Sequence, residues 1–177
     1  EPSVAEGHVW MEGIPIYFRI EVPRASRTGL WEEGMVLPGE TLREFPRTYT
    51  GEEVNPFGVW FEAGAAGEPL EVRIGFSLRN PERCRDALAQ AEEMSFSAVA
   101  DKAIQRWDVV LGKIAVEGGT AELREIFYSA FYHAALKPAD FSNENPFSSR
   151  EGPFFFDLST LWDQYKTQLP LLMTLWP

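Results

Sequence analysis

At Asn80-Pro81-Glu82 the hydrophobic period of this chain changes from two to 3.6, and it does not change back. Upstream, Ile14, Ile16, Phe18, Ile20 and Val22 alternate with Tyr17, Arg19 and Glu21, the pattern of a strand with one apolar face. Leu70, Val72, Ile74, Phe76 and Leu78 repeat it against Glu71, Arg73 and Ser77, and Val59 to Glu62 make a shorter strand. Residues 23–56 are rich in Gly, Pro and Thr, hold no sustained period, and read as loops with one short strand. Downstream, Asn80 is predicted to cap a helix that Pro81 and Glu82 begin. Ser95 is predicted to cap a second, with Phe96, Val99, Ala103, Trp107, Val110 and Ile114 at helical spacing and an end near Gly112. Ile114 to Glu117 read as a brief strand or extended linker. Thr120 caps a third helix, with a wide stripe of Leu123, Ile126, Phe127, Ala130, Phe131 and Ala134, which Pro138 stops. A last helix is expected from Ser159 or Thr160 through Leu161, Tyr165, Leu169, Leu172 and Met173, kinked at Pro170. Strands first and helices afterwards predict an α+β chain of separate domains rather than a βαβ unit.

Composition removes several classes of function. The formal net charge of -11, with no cluster of Lys or Arg, would repel a phosphate backbone, so nucleic acid is not expected as a partner. No apolar run is long enough to span a membrane. The single cysteine, Cys84, excludes an internal disulfide and a Cys-based metal site. There is no Gly-x-Ser-x-Gly, phosphate-binding Gly loop or HExxH. His8 and His133 lack partners at metal-ligand spacing, and Asn143-Glu144-Asn145 reads as a turn. The chain opens at Glu1-Pro2 without Met and stops within an apolar run, so it is expected to be an internal piece of a longer protein.

The segment Leu161 to Thr167 concentrates aromatic, acidic and basic groups beside a long Asn-, Ser-, Pro- and Phe-rich stretch, residues 137–157. Carbohydrate sites use this mixture: an indole face packs on the C–H side of a pyranose while a carboxylate accepts from hydroxyls. Trp162 and Asp163 are therefore candidate sugar-binding residues. The structural alternative is a capping box of Thr160 with Asp163, and a Trp162 that fills core. Phe154, Phe155 and Phe156 read as loop packing or a sugar platform, and Asp157 as a turn acceptor or a third site residue. A glycosidase needs an acid paired with a base or nucleophile, and these residues nominate no such pair.

Three ordered blocks carry a resemblance. They are Trp107 with Leu111-Gly112-Lys113-Ile114-Ala115-Val116-Glu117-Gly118-Gly119; Ile126-Phe127-Tyr128 with Phe131-Tyr132 and Pro138; and Leu158 through Thr167 leading to Pro170-Leu171-Leu172. Through them the chain resembles glycoside hydrolase family 92, the exo-acting α-mannosidases. The resemblance implies an antiparallel β-sandwich portion over 1–80, a helical linker over 81–117, and the first helices of an (α/α)6 toroid over 118–177. It implies inverting, calcium-dependent hydrolysis of terminal α-mannosides in the full-length protein, with mannose-containing glycans as partners and the rest of the catalytic domain completing the fold. Trp162 and Asp163 match the Trp-Asp pair that helps bind the terminal mannose, and Asp157 matches an acid just upstream. The catalytic acid, base and calcium ligands are expected beyond Pro177, with no metal ligand in this chain. Lys166 stands where Arg is usual, and Phe156 replaces a common Tyr. Other open readings are a trehalase- or glucosidase-like toroid enzyme and a non-catalytic carbohydrate-binding module. Members of the family are often exported, which leaves a secreted or periplasmic compartment open.

Overall fold

The structure, a computed structural model, describes residues 3–11, 13–39, 57–62, 67, 69–157 and 161–177, apart from the side chains of Leu161 and Asp163. They gather into two units, Glu1–Glu92 and Glu93–Pro177. In the first, strands β1 (Val4–Met11), β2 (Ile14–Glu21), β3 (Arg27–Glu32), β4 (Met35–Leu37), β5 (Phe57–Glu62) and β6 (Arg73–Ser77) precede helix α1 (Pro81–Ala89). They form two three-stranded antiparallel sheets, ordered β1-β2-β6 and β4-β3-β5. Antiparallel sheets followed by helices are the α+β order expected from the period change.

Among its described residues, the stretch expected to hold one short strand contains two. β3 and β4 close a hairpin in which Glu32 pairs with Met35, so Glu33 and Gly34 form a two-residue turn, at φ 50° and 80°. Two consecutive positive φ values are what a two-residue connection needs to match strand twist, and Glu-Gly is a weaker signal for it than Asn-Gly. Across β3 and β5, Trp60 lies over Gly29 and Trp31 over Gly58, at registers that pair each indole with a glycine. A Cβ on either glycine would come within 2.8 Å of the ring.

The sheet β1-β2-β6 is covered on the face opposite to the one its alternation suggests. Phe18 pairs with Phe76 and Ile20 with Ile74, which places the apolar residues on one face. α1 packs against β6 and β2 on the other, where Gly75 and Ser77 are buried beside Cys84 and Leu88. Ile74 is 62% exposed and Phe76 55%. Asn80 caps α1 through Oδ1, which accepts from the Arg83 amide at 3.0 Å, so the helix begins where the sequence signals place it.

On the covered face, Glu6 of β1 receives a bidentate pair of hydrogen bonds from Arg85 of α1, Nε to Oε1 and Nη2 to Oε2, both at 3.0 Å. Arg19 of β2 donates to Glu6 as well and to Glu21. The Arg85 hydrogen bonds, reinforced by Arg19, hold the Glu6 carboxyl at about 2 against an ordinary 4.5. A depressed carboxylate value means that its stabilising contribution is complete above about 4.5 and lost as pH falls through about 2. The difference in Tm between the wild-type protein and Glu6→Gln is therefore expected to be largest near neutrality and to shrink between pH 4.5 and 2, followed by thermal melts across that range.

The second unit begins with α2 (Phe96–Leu111), capped by Ser95 and ended at Gly112, then α3 (Ala121–Ala135), capped by Thr120. Between them, 114–117 is extended chain rather than a strand. The Tyr128 hydroxyl fixes it, donating to the Ile114 carbonyl at 3.0 Å and accepting from the Val116 amide at 3.3 Å. Trp107 meets Tyr132 at a centroid separation of 4.4 Å, and Phe131 is buried. Phe96 and Val99 of α2 and Leu123 and Ile126 of α3 are exposed, so much of the apolar stripe read on these two helices is open among the described residues.

α3 ends before Lys137-Pro138, and a two-stranded sheet follows, β7 (Ala139–Asp140) with β8 (Phe155–Phe156). Instead of one helix kinked at Pro170, the chain forms a single turn, α4 (Leu161–Gln164), breaks at 165–167, and resumes as α5 (Gln168–Leu175). Pro170 is the third residue of α5, within the first turn, where the missing N–H would have had no helical acceptor. It therefore starts a helix rather than bending one. Lys113 closes the unit, donating to the Leu175 carbonyl at 3.1 Å with its Nζ 5.1 Å from the Trp176 ring centre.

Candidate functional site

The aromatic stretch between α3 and α4 is a closed hairpin. Beyond the β7–β8 pair, the Phe141 amide donates to the Phe154 carbonyl and the Asn143 amide to the Gly152 carbonyl, both at 2.8 Å. Asn143 sits at φ 69°, a left-handed conformation asparagine tolerates, and its Oδ1 accepts from the Gly152 amide at 2.8 Å. Asp140 and Asn145 accept from the amides two residues on, Ser142 and Phe147, each at 2.9 Å. The Ser142 hydroxyl and amide, with a smaller contribution from Arg106, hold the Asp140 carboxyl below its ordinary range, as an ionised turn acceptor. Phe154 stacks on Phe156 at 6.1 Å, and Phe156 meets Phe141 edge-on at 6.4 Å. Phe155, one residue out of phase, is exposed, so the three phenylalanines divide between the two faces of a strand.

This hairpin delivers Asp157, directly after β8, to the end of α4. Its Oδ2 accepts from Gln164 Nε2 at 3.0 Å, its Oδ1 lies 3.9 Å from Lys137 Nζ, and its side chain is 12% exposed. Gln164 is 9% exposed. Trp162, on the same turn of helix, is 74% exposed. The indole thus does not fill core in this chain. Lys166 Nζ lies 5.3 Å from the Tyr165 ring centre, and Tyr165 is exposed. Gln168 Nε2 donates to the carbonyls of Ala134 at 2.7 Å and Lys137 at 2.6 Å, fastening the start of α5 to the end of α3.

Of the residues singled out from sequence, the structure puts Trp162 and Asp157 on segments joined by the hydrogen bond from Gln164 to Asp157. The Asp163 side chain, and Leu158, Ser159 and Thr160 with the capping box expected there, lie outside the described residues. Two polar residues of the cluster carried no individual signal in the sequence: Gln164, seven positions from its partner, and Lys137, twenty. His8 packs against Trp10 and Tyr17, and His133 against Tyr132. Among the described residues no three His, Cys, Asp or Glu side chains converge as a group that could hold a metal ion. None of the helices is long and apolar enough to cross a membrane, among the described residues. In the first unit a cleft of about 140 Å³ is lined by Arg19, Glu21, Arg85, Leu88, Ala89 and Glu92, and its two arginines are those bound by Glu6 and Glu21.

Comparison with known proteins adds what the geometry of one cluster cannot. Residues 83–177 match the family described as the glycosyl hydrolase family 92 catalytic domain. An uncharacterized secreted glycosidase of Arthroderma benhamiae is 30% identical over 114 residues, 61% of this chain and 15% of that protein. Among solved structures, a family GH92 inverting mannosidase of Bacteroides thetaiotaomicron superposes with a TM-score of 0.72 at 21% identity, over 97% of this chain. A second GH92 α-mannosidase of that organism matches with a TM-score of 0.72 at 20% identity, again over 97% of this chain. The chain spans 25% of the length of each of these two structures.

Proposed function

The chain belongs to glycosyl hydrolase family 92, and from that premise we propose that the full-length protein hydrolyses terminal α-mannosidic bonds of glycans with inversion and with dependence on calcium. The observation that carries this is the family match across the whole second unit. The fold shared with two mannosidases over nearly the entire chain supports it. In this reading 1–80 is a β-sandwich portion, 81–117 a helical linker and 118–177 the beginning of an (α/α)6 domain.

Trp162, Asp163 and Asp157 contribute a sugar subsite. The exposed indole offers a flat apolar face to the C–H side of a pyranose, and carboxylates beside it accept from hydroxyls in directions that fix the ring. Inversion needs a general acid on the leaving oxygen and a general base on a water at the opposite face. Neither role is assigned to a described residue, and the calcium ligands belong elsewhere in the full-length protein.

The test is release of mannose from α-mannobiose by the full-length protein, with the first-formed anomer followed by NMR in calcium and in chelator. The expected result is β-mannose first, lost with chelator and restored by calcium. An α product would overturn inversion, and turnover untouched by chelator would overturn calcium dependence. Hydrolysis of α-glucosides in place of α-mannosides would overturn the substrate.

A further inference from the structure

We propose that Gln164 is the positioning residue of the sugar subsite, setting with one hydrogen bond both the orientation of the Asp157 carboxylate and the place of the indole of Trp162. This rests on the reading that the Trp162 segment binds a mannoside. α4 is a single turn of four residues, too short for its own backbone hydrogen bonds to hold it in place. Side-chain anchors must do so. Gln164, the last residue of that turn, is buried at 9% exposure, while Trp162 two residues earlier is among the most exposed large side chains. A buried primary amide is costly unless its donors are used, and its Nε2 donates to Asp157 Oδ2 at 3.0 Å. The turn that carries the indole is thereby tied to the residue that follows β8.

The donor's chemistry matters as well. A neutral amide orients a carboxylate without cancelling its charge, so Asp157 keeps the acceptor strength a sugar hydroxyl requires. The nearby cation, Lys137, forms an ion pair with Asp157 Oδ1 at 3.9 Å through an exposed side chain, a contact that solvent screens and that is longer than a direct hydrogen bond. Behind this pair, Gln168 pins α5 to the Ala134 and Lys137 carbonyls. The segment from α4 to α5 is thus held at both ends by glutamine side chains, of which only Gln164 reaches the candidate subsite.

The experiment is a double-mutant cycle in the full-length protein, read by calorimetric affinity for methyl α-mannoside, by KM and kcat on α-mannobiose, and by Tm. Gln164→Met, similar in length but without a donor, is expected to weaken affinity and raise KM by about tenfold, with kcat within about twofold. In an Asp157→Ala background the same change is expected to have no further effect on affinity. If Gln164→Met does not fold, Gln164→Asn, which withdraws the amide by one methylene, completes the cycle. Equal losses in both backgrounds, or a lowered Tm with unchanged sugar affinity, would leave Gln164 a structural clamp and overturn the inference alone. A wild-type protein that neither binds nor cleaves α-mannosides would overturn the substrate reading, and the inference with it.

Discussion

Trp162→Ala in the full-length protein is expected to lower kcat/KM on α-mannosides by roughly fifty- to a hundredfold with Tm essentially unchanged. The indole is 74% exposed in this chain, so truncation opens no cavity within it, the usual route by which loss of a Trp destabilises a protein. In the subsite reading, what it contributes comes from the sugar that covers it. One face against a pyranose would remove about 100 Å² of apolar surface from water, about 2.5 kcal/mol at ~25 cal/mol per Å². At 1.36 kcal/mol per factor of ten this gives the stated range. Asp163→Ala is expected to act in the same direction through lost hydrogen bonds to hydroxyls. Wild-type turnover in both variants would remove these residues from the subsite, and a drop of several degrees in Tm with normal turnover would return Trp162 to a packing role.

The second large effect concerns the first unit. Gly75→Ala is expected to destabilise it by about 3 kcal/mol, the upper part of the range for overpacked sites. A Cβ at Gly75 would stand 2.5 Å from the Cys84 carbonyl oxygen and 3.0 Å from Leu88 Cγ. The first contact is with helix backbone, which cannot rotate away, so α1 would have to lift from β6. Because the obstacle is a carbonyl, adding Leu88→Ala should not restore stability. Denaturation of the single and double variants, with hydrogen exchange in α1, makes the measurement. Rescue by Leu88→Ala would mean that the limiting contact is the flexible side chain.

The helix starts were legible because their causes are local: Asn80, Ser95 and Thr120 each accept from an amide three residues on, within one turn of chain. The ordered blocks were legible as well, because family membership is written in residue order, and they fall within the matched residues 83–177. β1 was missed: Gly7 interrupts its pattern, and that glycine is filled from outside by the Phe18 ring of β2. The hairpin of β3 and β4 was missed because Glu33-Gly34 is an uncommon pair for a two-residue turn.

The sequence by itself determined the switch from antiparallel strands to helices at Asn80, the three capped starts and the family, since each is carried by neighbouring residues or by their order. Only the tertiary structure decided which face of β6 a helix would cover. Alternation marks the apolar residues, but close approach of α1 requires the residue without a Cβ, Gly75, and that lies on the opposite face. It alone decided that the last helix breaks before Gln168, because a proline in a first turn and one in a helix interior look alike until the start is known. And it alone joined Gln164 to Asp157: a hydrogen bond between side chains from two different elements has no period and no motif, and exists only where the fold brings donor and acceptor within 3.0 Å.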